Sequence, residues 1–195
     1  MEHKTYNGLS ITTIREYLDA AKICIETRKS NGGILGMAAL VLLTSSIDAV
    51  GSYYKKDKSV AGGYCFDNKV DMGHVSTAVK NHFYAVYSVF FDDKDKFPEM
   101  QDLNKENFIT LVFDNARNKA VHNAVVSTFI ATDESGKRTL ASKDNKDLYV
   151  DVLYDCVERA FEMFILNHPD LIGSPIEGDD SSVSGVTSSN IIQQA

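Results

Sequence analysis

The chain has 195 residues, of which 44% are hydrophobic and 24% charged, with a formal net charge of -7. This is the length and mix of one globular domain with a sizeable core, and it excludes a wholly disordered, collagenous or membrane-embedded chain. The acidic balance also argues against a protein that coats nucleic acid through its overall field, although a local basic groove is compatible with it.

The longest nearly unbroken apolar run, Ile34 to Leu43, stops at Thr44-Ser45-Ser46, well short of the roughly 20 residues that a bilayer span requires. No transmembrane helix is expected. The first ten residues, MEHKTYNGLS, lack a positive cap followed by an apolar stretch, so they do not read as a secretory signal and a cytoplasmic address is expected. Cys24, Cys65 and Cys156 are odd in number and far apart. Without a C-x-x-C pair they read as reduced thiols.

Helical periodicity dominates the chain. Thr13-Ile14-Arg15-Glu16 has the form of a capping box and predicts the start of a first helix, whose apolar stripe is Ile14, Leu18, Ala21 and Ile25. Asn31-Gly32-Gly33 breaks it. A second helix, from about 34 to 54, is apolar nearly all round and carries the small residues Gly36, Ala38 and Ala39, so a central position in a bundle or a dimer is expected, with Asp48 as its polar intruder. Residues from about 55 to 73 mix Lys, Asp and Gly without a sustained period and read as a long loop.

From Val75 onward, Val79, Phe83, Val86, Tyr87 and Phe90 recur at helical spacing and predict a third helix. A fourth carries Phe108, Ile109, Val112, Phe113, Ala116 and Ala120 on one face and ends near His122-Asn123. The period then changes to strict alternation over Val126 to Ala131. With turn chemistry at Asp133 to Gly136, a β-hairpin at about 125–140 is expected. The fifth helix runs from Asp147 to about Asn167 and is closed by Pro169. The expected fold is therefore mainly α: a bundle of about five helices with one small β-hairpin. Residues 1–168 form a single domain, and 169–195 form a Ser/Gly/Asp-rich flexible tail in which Ile191 and Ile192 are placed to clasp a neighbour.

The common nucleotide, zinc-protease and hydrolase signatures are absent. What stands out is Arg117-Asn118-Lys119-Ala120-Val121-His122 at the end of the fourth helix. Asn118 and His122 are one turn apart, and Arg117 is long enough to converge with them. These groups suit metal-independent phosphodiester cleavage in RNA, whose 2′-hydroxyl is an internal nucleophile. His122 exchanges a proton, Arg117 neutralises the phosphate through its planar fork, and Asn118 orients one or the other. A purely structural role stands beside this: Asp114 lies three residues before Arg117 and offers a surface ion pair, and a His in a last turn meets free carbonyls favourably. His74 and His82, eight apart on the third helix, make a poor metal site without a third ligand. The Tyr53-Tyr54 and Phe90-Phe91 pairs read as core rather than as base-stacking platforms. Lys55-Lys56 and Lys137-Arg138 read as solvated charge, each able to line an RNA groove.

The R-N-x-x-x-H sequence of Arg117 to His122, near the end of a helix in an all-helical domain, resembles the defining motif of the HEPN superfamily, and the stretch Thr44-Ser45-Ser46-Ile47-Asp48-Ala49 strengthens the likeness. The resemblance covers about residues 10–168. It implies a helical bundle that forms a homodimer, bringing two Arg-His motifs across a two-fold axis into one RNA-cleaving cleft that needs no cofactor or metal. In that superfamily some members are endoribonucleases of toxin or defence type, partnered by an antitoxin. Others are inactive nucleic-acid or nucleotide-binding or regulatory modules. By position, Arg117, Asn118 and His122 match the motif, and Asp48 matches an acidic residue of the core helices. The hairpin after His122 departs from a simple HEPN bundle. A helical scaffold without catalysis is the third reading, and none of the three involves a membrane.

Overall fold

The computed structural model describes residues 2–68, 76–123, 129–133, 135–144 and 147–171, with the side chains of 2–10, 76–77, 121–123 and 129 outside that description. The chain forms a bundle of helices α1 (Glu2–Glu26), α2 (Gly36–Gly51), α3 (Ser76–Val86), α4 (Lys105–Phe108), α5 (Asn118–Asn123) and α6 (Val150–Asn167). Two π-helical segments extend this set: Tyr87–Phe91 continues α3, and Ile109–Arg117 joins α4 to α5 into one continuous rod. The third and fourth helices expected from periodicity are therefore present as composite helices. No described helix is long and apolar enough to cross a membrane.

Helix α1 starts well before the capping box at Thr13, which lies inside the helix. Its stripe is as expected, with Ile14, Leu18 and Ala21 fully buried. The Asn31-Gly32-Gly33 break is a tight turn: Gly32 takes a φ of 80°, Lys29 N–H donates to the Gly33 carbonyl at 2.7 Å, and Gly33 N–H donates to Asn31 Oδ1 at 3.1 Å. Helix α2 is central, packing against α1, α3, α6 and the Ile109–Arg117 segment. Ala39, Leu40, Leu43 and Ile47 are buried against these neighbours. Its outer side, through Leu35, Ala38, Leu42, Ser45 and Ala49, is exposed or half-buried.

The π segments explain burial that an α-helical period does not. Asn118 N–H donates to the Phe113 carbonyl five residues back, as Asp92 N–H does to Tyr87, the i to i+5 pattern of a widened turn. The extra residue per turn brings Leu111 into the core beside Val112 and Phe113, and Phe91 beside Phe90.

Strand pairing differs from expectation in place and in type. The antiparallel hairpin lies in the stretch read as a loop: β1 (Tyr54–Lys56) pairs with β2 (Tyr64–Phe66). Its connection is tied by Asp57, which accepts from the Ser59 backbone and hydroxyl, and by Gly62 and Gly63 at positive φ. Alternation is too short there to be visible, and the aromatic packing is non-local. Tyr53 and Tyr54 are buried, and Phe66 stacks on His168 at 3.7 Å between ring centroids. Tyr54 Oη lies 3.3 Å from His168 Nε2, and burial holds the His168 imidazole below its ordinary pKa.

In the segment where the hairpin was expected, β3 (Phe129–Ala131) pairs in parallel with β4 (Asp147–Tyr149). Residues 124–128 lie outside the described residues. The turn chemistry at Asp133 is real but serves a different end. Asp133 accepts from Ser135 and from Arg138 N–H, and it turns the chain away rather than back along β3. Because β4 occupies Asp147–Tyr149, the last helix begins at Val150 rather than at Asp147. A short turn, Pro169–Leu171, then buries Leu171. Packing thus continues three residues past the expected domain end at 168. The rest of the expected tail, including Ile191 and Ile192, lies outside the described residues.

Candidate functional site

Asp48 sits on α2 one turn before Gly51, and Gly51 is where α2 and α3 come closest. A Cβ on Gly51 would run into the His82 carbonyl and stand 2.6 Å from His82 Cβ. The missing side chain thus lets the two helices approach until Asp48 reaches His82. The buried His82 Nδ1–H donates to Asp48 Oδ1 at 2.7 Å, the donor role following from the acceptor-only carboxylate.

The other oxygen of Asp48 faces Arg117. Asp48 Oδ2 and Arg117 Nη2 are 3.8 Å apart, with side-chain exposures of 28% and 19%. The Arg117 guanidinium also lies 5.7 Å from the centroid of the Phe113 ring and donates to Asn118 Oδ1 at 3.3 Å. The acid expected to tie up Arg117 is engaged elsewhere: Asp114 pairs with Lys80 at 2.8 Å. Arg117 is therefore a half-buried cation with one loosely held acidic neighbour. It closes the π segment at the point where α5 begins with Asn118.

Three of the four residues singled out in the sequence, Asp48, Arg117 and Asn118, thus meet at one place. His122 lies one turn beyond Asn118 on α5, and its side chain is outside the described residues. The member that sequence reasoning assigned elsewhere is His82, weighed there with His74 as a metal ligand. His74 lies outside the described residues, and His82 is instead bound to Asp48. A signal was present, because His82 falls on the apolar stripe of Val79 and Val86, and a polar group on a buried stripe needs a partner. Among the described residues no group of three His, Cys, Asp or Glu side chains is placed to hold a metal ion.

Beside His82, between the hairpin and α3, opens a cleft of about 350 Å³ whose walls include Ser52, Tyr54, Lys56, Tyr64, Asn81 and His82. Lys55 and Asp67 also line it and pair with each other at 2.8 Å. The Asp48–His82 contact makes one wall of this cleft continuous with the Arg117 position. Chemically the assembly offers a planar cation fit for a phosphate, an amide beside it, a histidine oriented by a carboxylate, and a mixed aromatic and basic cleft next door. No protein-family model, no curated protein and no solved structure matches this chain.

Proposed function

We propose that the protein is a HEPN-like, metal-independent endoribonuclease whose cleavage centre is built on Arg117, Asn118 and His122, with Asp48 as a positioning residue. The observation that carries this reading is the state of Arg117. Its guanidinium stands beside Asn118, shielded by Phe113 and restrained by Asp48 at 3.8 Å, which leaves donors of its fork to meet a phosphate. Partial burial strengthens such a contact relative to one in bulk water.

In the reaction the 2′-oxygen bonds to phosphorus as the bond to the 5′-oxygen breaks. The 2′ proton passes to an imidazole, and a proton is returned to the departing 5′-oxygen. His122 carries this exchange, Arg117 stabilises the charge on the pentacoordinate phosphate, and Asn118 holds the guanidinium in place. Two copies of the motif brought together in a homodimer make one centre, and the half-buried outer side of α2, with Ala38, Ser45 and Ala49, supports close approach of a second copy.

The test is cleavage of labelled single-stranded RNA in EDTA, beside sedimentation at micromolar concentration. A dimer is expected, with products ending in a 2′,3′-cyclic phosphate and a 5′-hydroxyl, and DNA left intact because it lacks the nucleophile. Loss of general acid-base transfer in His122→Ala should lower the rate about 100-fold or more. Wild-type protein that binds RNA and never cuts it leaves the binding-module reading in its place.

A further inference from the structure

Building on the ribonuclease reading, we propose that the cleft between the hairpin and α3 is a subsite for one nucleotide of single-stranded RNA, the one flanking the phosphate at Arg117. The cleft's volume of about 350 Å³ lies within the range of sites that enclose a small ligand, which runs from roughly 300 to 1,000 Å³.

Its walls carry what a nucleotide needs. Tyr64 contributes a half-buried ring, and every base has a π-face to stack on one. Asn81 offers an amide for a base edge or a ribose hydroxyl, and Lys56 an ammonium for a phosphate. Among the described residues, neither the Asn81 amide nor the Lys56 ammonium has a hydrogen-bond or ion-pair partner. The one acid in the lining, Asp67, is paired with Lys55 at 2.8 Å, so the charge of Lys56 is not cancelled within the cleft.

Position completes the argument. His82 forms part of the cleft wall and binds Asp48, which in turn faces Arg117. The subsite and the guanidinium are therefore two side-chain contacts apart, as neighbouring elements of one strand require. A free inorganic anion would use Lys56 alone and would gain nothing from Tyr64 or Asn81.

The probe is a fluorescein-labelled 2′-O-methyl RNA of 12 nucleotides, which the protein is unable to cut, followed by anisotropy with the full chain in EDTA. Lys56→Glu should weaken binding about tenfold, and Asn81→Ala about threefold. Lys22→Glu makes the same charge change at an exposed position of α1 and should alter it less than about twofold. With unmodified RNA, KM should rise in the same ratios while kcat is unchanged. Wild-type cleavage combined with equal effects of Lys56→Glu and Lys22→Glu, and none of Asn81→Ala, overturns the subsite and leaves the ribonuclease reading standing. Cleft-dependent binding without any cleavage upholds the subsite and removes the catalytic reading. Failure of the wild type both to bind and to cut removes both.

Discussion

Two carboxylate–arginine pairs in this molecule are built in opposite ways. Glu99 and Arg159 are joined by two hydrogen bonds, Nη2 to Oε1 at 2.8 Å and Nη1 to Oε2 at 3.2 Å. Arg159 also donates to the Lys96 carbonyl and lies over the Phe97 ring. The Glu99 side chain is 8% exposed, and its backbone carbonyl accepts from Leu140 N–H. This is a saturated clamp that ties α6 to the chain before α4 and to the segment between β3 and β4. Asp48 and Arg117 touch at 3.8 Å through a single contact, and Asp48 is shared with His82. The first arrangement uses nearly all its hydrogen-bonding capacity within the fold, while the second holds some of it open beside a cleft. Stability and chemistry are thus assigned to different arginines.

The largest effect should come from breaking the clamp. Arg159→Ala leaves the buried Glu99 carboxylate without its counter-ion and should cost about 3 kcal/mol in urea unfolding. A loss below about 1 kcal/mol would put the two pairs on the same footing. Gly51→Ala comes next. It forces α2 and α3 apart where the backbones touch, and a loss of about 2 kcal/mol is expected, together with a change in the His82 imidazole NMR signals as the bond to Asp48 lengthens. Unchanged His82 signals would show that the close approach does not set the site.

A smaller effect separates the pairs by pH. Burial by itself would raise the Glu99 carboxyl, but the hydrogen bonds and charge of Arg159 outweigh it and hold its pKa below the ordinary 4.5. The folded value therefore lies below the unfolded one. The stability this pair supplies is complete above the unfolded value and is lost as pH falls through the lower folded one. Glu99→Gln should flatten that acid-side decline, read as the urea midpoint followed from pH 6 downward, whereas an unchanged slope would mean that Glu99 is not its source.

Local periodicity was enough to reveal the helical frame. Ile14, Leu18 and Ala21 on α1, the central burial of α2, and the last helix through Phe164 all follow from apolar spacing alone. What escaped it was non-local or irregular. The π segments change the period in mid-helix, so the burial of Leu111 had no α-helical warrant. Strands of three residues are too short to alternate visibly, and the parallel pairing of β3 with β4 depends on a segment 16 residues further on. The site was half legible. Arg117, Asn118 and His122 are adjacent in sequence, but Asp48 and His82 are 34 residues apart and meet only because Gly51 lets two helices touch. Two polar residues on two apolar stripes were the available clue.

The most direct measurement takes Arg117→Ala through urea unfolding and RNA cleavage side by side. Only a weak, partly exposed contact is lost, so stability should fall by less than about 1 kcal/mol, while loss of phosphate stabilisation should slow cleavage by about 100-fold. A variant that unfolds as readily as Arg159→Ala, yet cuts RNA at the wild-type rate per folded molecule, would contradict the assignment of Arg117 to chemistry rather than to the fold.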